Sequence, residues 1–119
     1  MHSYRQFTGR KGEDIAVNFL QKKGFRILER NWRFRHCEID IVASNSTILH
    51  FVEVKTRSGL RFGYPEESIS LLKMKHLKIA AAAYQYRHPQ WKHIQFNALS
   101  VILQGETILE IRFFEDIYR

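Results

Sequence analysis

Two alternating segments joined by a short polar turn constrain the fold of this chain more than any other feature. Residues 38–43 (EIDIVA) and 48–55 (ILHFVEVK) flank the turn-forming run SNST. Side chains of a strand alternate between the two faces of a sheet, so a period of two indicates strands. Asn and Ser favour tight turns. The pattern therefore predicts a β-hairpin.

The other periodic segments predict two helices and three more strands. Helical spacing of apolar residues marks 12–23 and 67–87, and short β-rich runs mark 25–30, 94–103 and 107–113. In the long helix the predicted core-facing residues are Ile69, Leu72, Leu77, Ala80, Ala83 and Tyr84. The tail FFEDIYR is expected to form a last helical turn. The order α-β-β-β-α-β-β predicts a mixed α/β domain, in which the long helix returns the chain parallel to the second hairpin strand.

Length and composition predict one globular domain over residues 1–119. Nineteen Lys and Arg against twelve Asp and Glu give a net charge of +7, which favours a polyanionic partner such as nucleic acid. The single cysteine, Cys37, excludes an internal disulfide. No signal sequence or membrane-spanning run is evident, so a cytoplasmic location without membrane association is expected.

Charged residues inside the apolar hairpin are the strongest chemical feature. Alternation puts Glu53 and Lys55 on one face of their strand, and Glu38 and Asp40 on one face of the preceding strand, opposite Ile39 and Ile41. A turn centred on residues 45–46 sets Asp40 across from Phe51 and Glu38 across from Glu53. In that register the carboxylates and the lysine share a face, with Asp40 and Glu53 as diagonal neighbours.

Carboxylates gathered in an apolar setting repel one another, and a divalent cation relieves the repulsion. Oxygen ligands favour Mg²⁺ or Mn²⁺ over zinc. The adjacent Lys55 could position a water or neutralise charge developing on a phosphate. These are the parts that phosphodiester hydrolysis requires. The alternative is that Glu53 and Lys55 form a solvated surface pair with no chemical role.

Four motifs together resemble the YraN family of small bacterial proteins: GRKGEDIA, NWRFRHCEIDIVA, FVEVKTR and FGYPEESI. That family is similar to Holliday-junction resolvases and to nucleases of the restriction-endonuclease-like PD-(D/E)xK type. The resemblance covers nearly the whole chain. It implies a restriction-endonuclease-like fold with a central mixed sheet and flanking helices, and a metal-dependent endonuclease acting on DNA, such as branched or structured DNA.

The resemblance also implies roles for individual residues. Asp40 and Glu53 would bind the metal with the main-chain carbonyl of Val54, Lys55 would be the catalytic lysine, and Glu13 would be a helix carboxylate that supports the metal. Two positions depart from the pattern: Cys37 stands where the family usually has glycine, and Asn97 stands where it often has aspartate. These departures bear on substrate fit or on an extra ligand.

Five basic residues are candidate phosphate contacts: Arg33, Arg35, Arg57, Arg61 and Lys73. For Arg33 and Arg35 the alternative is that they are solvated while the neighbouring Trp32 and Phe34 fill the core. The histidines and the cysteine show no zinc-finger spacing, and His36-Cys37 is too short a motif to predict a zinc site.

Three functions remain open from the sequence. The first is the metal-dependent nuclease. The second keeps the fold without catalysis, as a nucleic-acid-binding module or an adaptor in DNA repair or recombination. The third is a protein-interaction or oligomerisation domain. A homodimer is expected on base rates and would match a two-fold symmetric DNA junction.

Overall fold

The structure, a computed structural model, describes residues 4–59 and 71–117, with side chains described from residue 11 onward. Two helices and five strands follow in the predicted order α-β-β-β-α-β-β. Their bounds are α1 Tyr4–Lys22, β1 Arg26–Phe34, β2 Cys37–Asn45, β3 Ile48–Ser58, α2 Leu71–Arg87, β4 His93–Gln104 and β5 Thr107–Phe114. None of the helices in these ranges has the length and apolar character needed to cross a bilayer.

The five strands form one mixed sheet in the order β1-β2-β3-β4-β5. All neighbouring pairs are antiparallel except β3 and β4, which run parallel through eleven paired residues. The connection from β3 to β4 carries α2, so the predicted crossover is confirmed. Its helix is described from Leu71, and the predicted start at residue 67 lies outside the described residues.

Each helix covers one face of the sheet. α1 buries Ala16 and Leu20 in a cluster with Ile41, Val52 and Leu99. α2 covers the other face, where its buried residues Leu77, Ala80, Ala81 and Tyr84 meet a second cluster that includes Leu49 and Phe51. Both faces of the central strands are therefore apolar, as expected for strands between two helical layers.

Several details of the sequence prediction are wrong. Leu72 is 62% exposed instead of facing the core, because the first turn of α2 projects beyond the sheet-facing cluster formed by its later turns. Over its described residues, 113–117, the tail forms no helical turn: Phe113 and Phe114 belong to β5, and residues 115–117 are irregular, with the Ile117 amide bonded to the Phe96 carbonyl. β1 continues through Trp32 to Phe34 instead of ending at residue 30.

Gly12 allows α1 to approach β3 closely. A Cβ atom added at Gly12 would lie 1.9 Å from the Thr56 hydroxyl oxygen and 2.9 Å from its Cβ. No side chain larger than hydrogen fits at this contact. The neighbouring residue Glu13 is thereby held near the end of β3 that carries Lys55.

We expect Gly12→Ala to destabilise the protein by about 1–3 kcal/mol, although alanine is the better helix former by roughly 1 kcal/mol. The overlap with Thr56 forces the helix and strand apart. Urea unfolding measures the loss, and the double variant Gly12→Ala/Thr56→Ala should recover part of it. Asn18→Ala, at an exposed position of α1, is the control and should change stability by less than about 0.5 kcal/mol.

Candidate metal site at the end of the hairpin

The hairpin register differs from the predicted one by two residues. β2 and β3 pair from Asn45↔Ile48 to Ile41↔Val52, so the turn is centred on residues 46–47. Ser46 takes a left-handed conformation with φ 58°, which a two-residue turn can require. A shift of two preserves which face each residue occupies on β3. The prediction that Asp40 lies across from Phe51 is therefore wrong, although Asp40 and Glu53 still come together.

The two hairpin strands stop pairing immediately beyond Ile41 and Val52. At that point the Val54 amide donates a hydrogen bond of 2.8 Å to Oδ2 of the Asp40 side chain. The carboxylate thus replaces the main-chain partner that β2 no longer supplies. This bond fixes Asp40 beside Glu53 and orients its carboxylate at the fork between the strands.

The face assignment of β2 changes at Asp40. Ile39 packs in the cluster under α2, whereas Ile41 packs under α1, so the prediction that both share one face is wrong. On β1, Asn31 lies between the residues that pair with Ile39 and Ile41, and its backbone is left-handed with φ 51°. The irregularity in both strands turns Asp40 toward the site rather than into either core.

Glu53 is a charged residue in the interior, only 2% exposed. Its Oε1 forms an ion pair with the Lys73 ammonium from the first turn of α2, but no donor of hydrogen-bonding geometry reaches that oxygen from the described residues. Burial acts to lower the pKa of Lys73, but the Glu53 carboxylate outweighs it and raises that pKa overall. Lys73, which was predicted to contact phosphates, supplies the counter-charge of Glu53 in the structure.

Burial, followed by repulsion from Glu53, raises the pKa of Asp40 to about 8. The Val54 hydrogen bond and Lys73 oppose this increase without cancelling it. A carboxyl group that resists ionisation at neutral pH indicates that the positive charge near Asp40 and Glu53 is too small to balance two carboxylates. A divalent cation between Asp40 and Glu53 would supply that charge.

Lys55 completes the group on the same side of β3. Burial, then the neighbouring Lys73, lowers its pKa to about 8, while Glu53 and Asp40 oppose the decrease. An ammonium with a pKa near 8 can release its proton in the neutral range, and the neutral amine that remains can accept a proton from water. The structure thus brings Asp40, Glu53 and Lys55 together, as the alternation predicted.

Glu13 lies nearby on α1, where it contacts two neighbouring residues of β1. The Asn31 amide donates to its Oε1 at 2.7 Å, and the Arg30 guanidinium lies 3.5 Å from the same oxygen. Burial raises the pKa of Glu13 in spite of these partners. The role of Asn31 and Arg30 was not predicted, because nothing in the sequence reveals how closely α1 approaches β1.

The remaining predicted residues are dispersed. Glu38 pairs with Arg33 across β1 and β2, with 3.4 Å between the charged groups, and does not lie across from Glu53. Arg35 lies over the Phe34 ring, and Arg57 is exposed near the end of β3. Arg61 lies outside the described residues. Trp32 and Phe34 pack against the core under α2, as the alternative for this segment expected.

Comparison with known proteins places the chain in a family. A sequence profile described as "Uncharacterised protein family UPF0102" matches residues 12–102, which include the second half of α1, the hairpin, α2 and most of β4. The chain belongs to UPF0102. The resemblance to the YraN family is thereby confirmed, since the two names denote one family.

UPF0102 proteins of several bacteria are similar over most of their length. One from Dictyoglomus turgidum is 45% identical over 103 residues, covering 84% of this chain and 87% of the relative. One from Flavobacterium psychrophilum is 41% identical, covering 92% of each chain. One from Chloroherpeton thalassium is 40% identical, covering 93% of this chain and 92% of the relative.

Proposed function

We propose that this UPF0102 protein is a divalent-metal-dependent endonuclease of the restriction-endonuclease-like type, acting on branched or structured DNA. The observation that carries the proposal is the convergence of Asp40, Glu53 and Lys55 at the point where β2 and β3 separate. The α/β arrangement of a mixed sheet between two helices is compatible with that fold. The net charge of +7 suits a DNA partner.

The oxygen donors at the site fit Mg²⁺ or Mn²⁺. Glu53 Oε1 is buried with the Lys73 ammonium as its counter-charge, and burial followed by repulsion from Glu53 raises the pKa of Asp40 to about 8. Asp40 and Glu53 would hold the ion, the Val54 carbonyl is a further candidate ligand, and Glu13 would support the acidic side of the site. A bound ion would supply Lewis-acid activation of the phosphate and of a water.

The protein residues have separate tasks in this mechanism. The Val54 amide holds Asp40 in one orientation throughout, because it is part of the β3 backbone. Lys55, with its lowered pKa, accepts a proton from the attacking water. Arg33, Arg35, Arg57 and Arg61 are proposed phosphate contacts that position the DNA backbone. Lys73 joins them when it leaves Glu53.

A cleavage panel tests the proposal. Purified protein is incubated with Holliday-junction, flap and linear DNAs, with Mg²⁺, Mn²⁺ or a chelator. We expect metal-dependent cleavage of at least one structured DNA, reduced by at least about a hundredfold in Glu53→Gln. Glu110→Gln, on β5 where Glu110 pairs with Arg112, is the matched control and should cleave at the wild-type rate. Absence of cleavage, or equal rates for both variants, would contradict the proposal.

A second candidate is a nucleic-acid-binding module without catalysis, and the ion pair of Lys73 with Glu53 favours it. That pair neutralises the buried carboxylate without any metal. Such a module would bind DNA with a steep salt dependence and show no effect of divalent cations beyond general screening. Retained DNA binding together with no measurable Mg²⁺ or Mn²⁺ binding would select this function over the nuclease.

A further inference from the structure

Two imidazoles and one thiol converge at the end of β2 that lies away from the hairpin turn. His36, Cys37 and His76 each offer one ligand atom, and these atoms all lie within 4.8 Å of one another. His36 belongs to the turn between β1 and β2, Cys37 begins β2, and His76 lies on α2. In residues 4–59 and 71–117 no other three side chains of His, Cys, Asp or Glu gather this closely.

The packing around this cluster suits a metal ion. The Cys37 thiol is free and only 2% exposed, and it lies in the core cluster under α2. The His36 and His76 rings meet edge to face, with 5.0 Å between their centroids. The simpler interpretation is that two rings pack over a buried thiol. That interpretation accounts for the ring contact but not for the convergence of one donor atom from each of the three residues.

The chemistry of the donors selects the ion. Thiolate and imidazole are preferred ligands of zinc, whereas the oxygen donors of Asp40 and Glu53 suit Mg²⁺ or Mn²⁺. Tetrahedral zinc with bonds of about 2.0–2.3 Å needs donors separated by roughly 3.3–3.7 Å. The ligand atoms of the three residues, now up to 4.8 Å apart, would have to approach one another by about 1 Å. The exposed His36 side chain can make this movement while the sheet holds Cys37 and α2 holds His76.

We propose that His36, Cys37 and His76 bind one Zn²⁺ ion, whose fourth position is open to water. The ion would join the β1–β2 turn to α2, two parts of the chain about forty residues apart. His76 lies three residues after Lys73, so the two side chains occupy the same side of adjacent helical turns. A zinc ion bound to His76 would therefore fix the helical turn adjacent to the one that carries Lys73, the partner of Glu53. The inference does not depend on nuclease activity.

Zinc binding can be measured directly on the full chain. We expect one zinc per chain after loading with ZnCl₂ and removal of excess metal, and competition with a chromophoric chelator gives the affinity. Cobalt loading should show a thiolate-to-metal charge-transfer band in the near ultraviolet. At free zinc about a hundred times the dissociation constant, Tm should rise by roughly 10 °C.

Variants locate the ion. Cys37→Ala and His76→Asn should each abolish stoichiometric binding, the cobalt band and the Tm increase, while His36→Asn weakens binding at least about tenfold. His93→Asn, at an exposed histidine of β4, and Glu53→Gln, at the carboxylate site, should both keep one zinc per chain. Urea unfolding of the metal-free variants shows whether each one is still folded, so that loss of a metal-binding side chain is distinguished from loss of the fold.

Two outcomes would overturn the proposal. One is wild-type protein that retains no zinc, or that binds cobalt without a thiolate band. The other is folded Cys37→Ala or His76→Asn protein that keeps one zinc with wild-type affinity, which would place the ion elsewhere.

Discussion

Asp40→Asn should make the metal-free protein more stable while eliminating its response to Mg²⁺. Folding raises the pKa of Asp40 from its ordinary 3.8 to about 8, and at pH 8 the expected gain is roughly 2–4 kcal/mol, because contact of the half-buried side chain with water reduces the full effect. Asparagine is nearly the same shape, and its carbonyl oxygen can still accept the Val54 amide. What disappears is the cost of burying an ionisable carboxyl group, together with its repulsion by Glu53.

The contribution of Asp40 to the stability of the fold depends on pH. Below about pH 4, Asp40 is protonated in both the folded and the unfolded chain. Between about pH 4 and 8 the unfolded chain ionises Asp40, whose ordinary pKa is 3.8, while the folded chain keeps the proton. The unfolded state then binds fewer protons, so the contribution of Asp40 to stability falls as pH rises through this interval.

Urea unfolding of wild type and Asp40→Asn at pH 4, 6 and 8 measures the difference between them. Taking the difference removes the titration of the histidines, which both proteins share. We expect it to be near zero at pH 4 and largest at pH 8. Adding Mg²⁺ at pH 8 should stabilise wild type but not the variant, and the variant should cleave DNA at less than about one per cent of the wild-type rate. A variant less stable than wild type at pH 8 would show that burial and repulsion do not raise the pKa of Asp40 in this way.

Lys55→Met should lower the rate of DNA cleavage by about 10²–10⁴-fold with little change in DNA affinity. Methionine keeps the length and apolar stem of lysine but cannot accept a proton. Lys55→Arg should be equally inactive, because a guanidinium stays protonated throughout the accessible range. Single-turnover cleavage, with binding measured separately at the same salt concentration, distinguishes a chemical defect from a binding defect.

The wild-type rate should rise with pH and level off at or below about pH 8. Burial and Lys73 already lower the pKa of Lys55 to about 8, and a bound divalent cation adds positive charge that lowers it further. The residual cleavage rate of Lys55→Met should not show this rise with pH. Lys75→Met, on an exposed face of α2, is the control and should keep both the rate and the profile. Activity of Lys55→Arg close to wild type would show that Lys55 acts only as a positive charge.

Local pattern was sufficient to predict the element order and the shared face of Glu53 and Lys55. Both follow from periodicity within single segments, and the crossover of α2 between parallel strands follows from the order of those segments. The register was wrong by two residues because SNST offers more than one turn centre, and the left-handed Ser46 decides between them. Since two is the period of a strand, the error left Glu53 on the correct face.

Contacts between distant segments could not be predicted. The ion pair of Lys73 with Glu53 depends on how far the first turn of α2 extends over β3, and the contact of Asn31 with Glu13 depends on the approach of α1 permitted by Gly12. His76 joins His36 and Cys37 for the same reason, across about forty residues. The spacing of residues within a single helix or strand does not reveal which distant segments come into contact.

The ion pair between Lys73 and Glu53 has a consequence for the order in which ligands bind. A DNA phosphate that attracts Lys73 away from Glu53 leaves a buried carboxylate without its counter-charge, and a divalent cation restores it. A cation that binds first releases Lys73 for the phosphate in the same way. Because such coupling is reciprocal, DNA and metal should each increase the affinity of the other. Free Mg²⁺ should therefore bind the chain alone more weakly than it binds the complex with DNA.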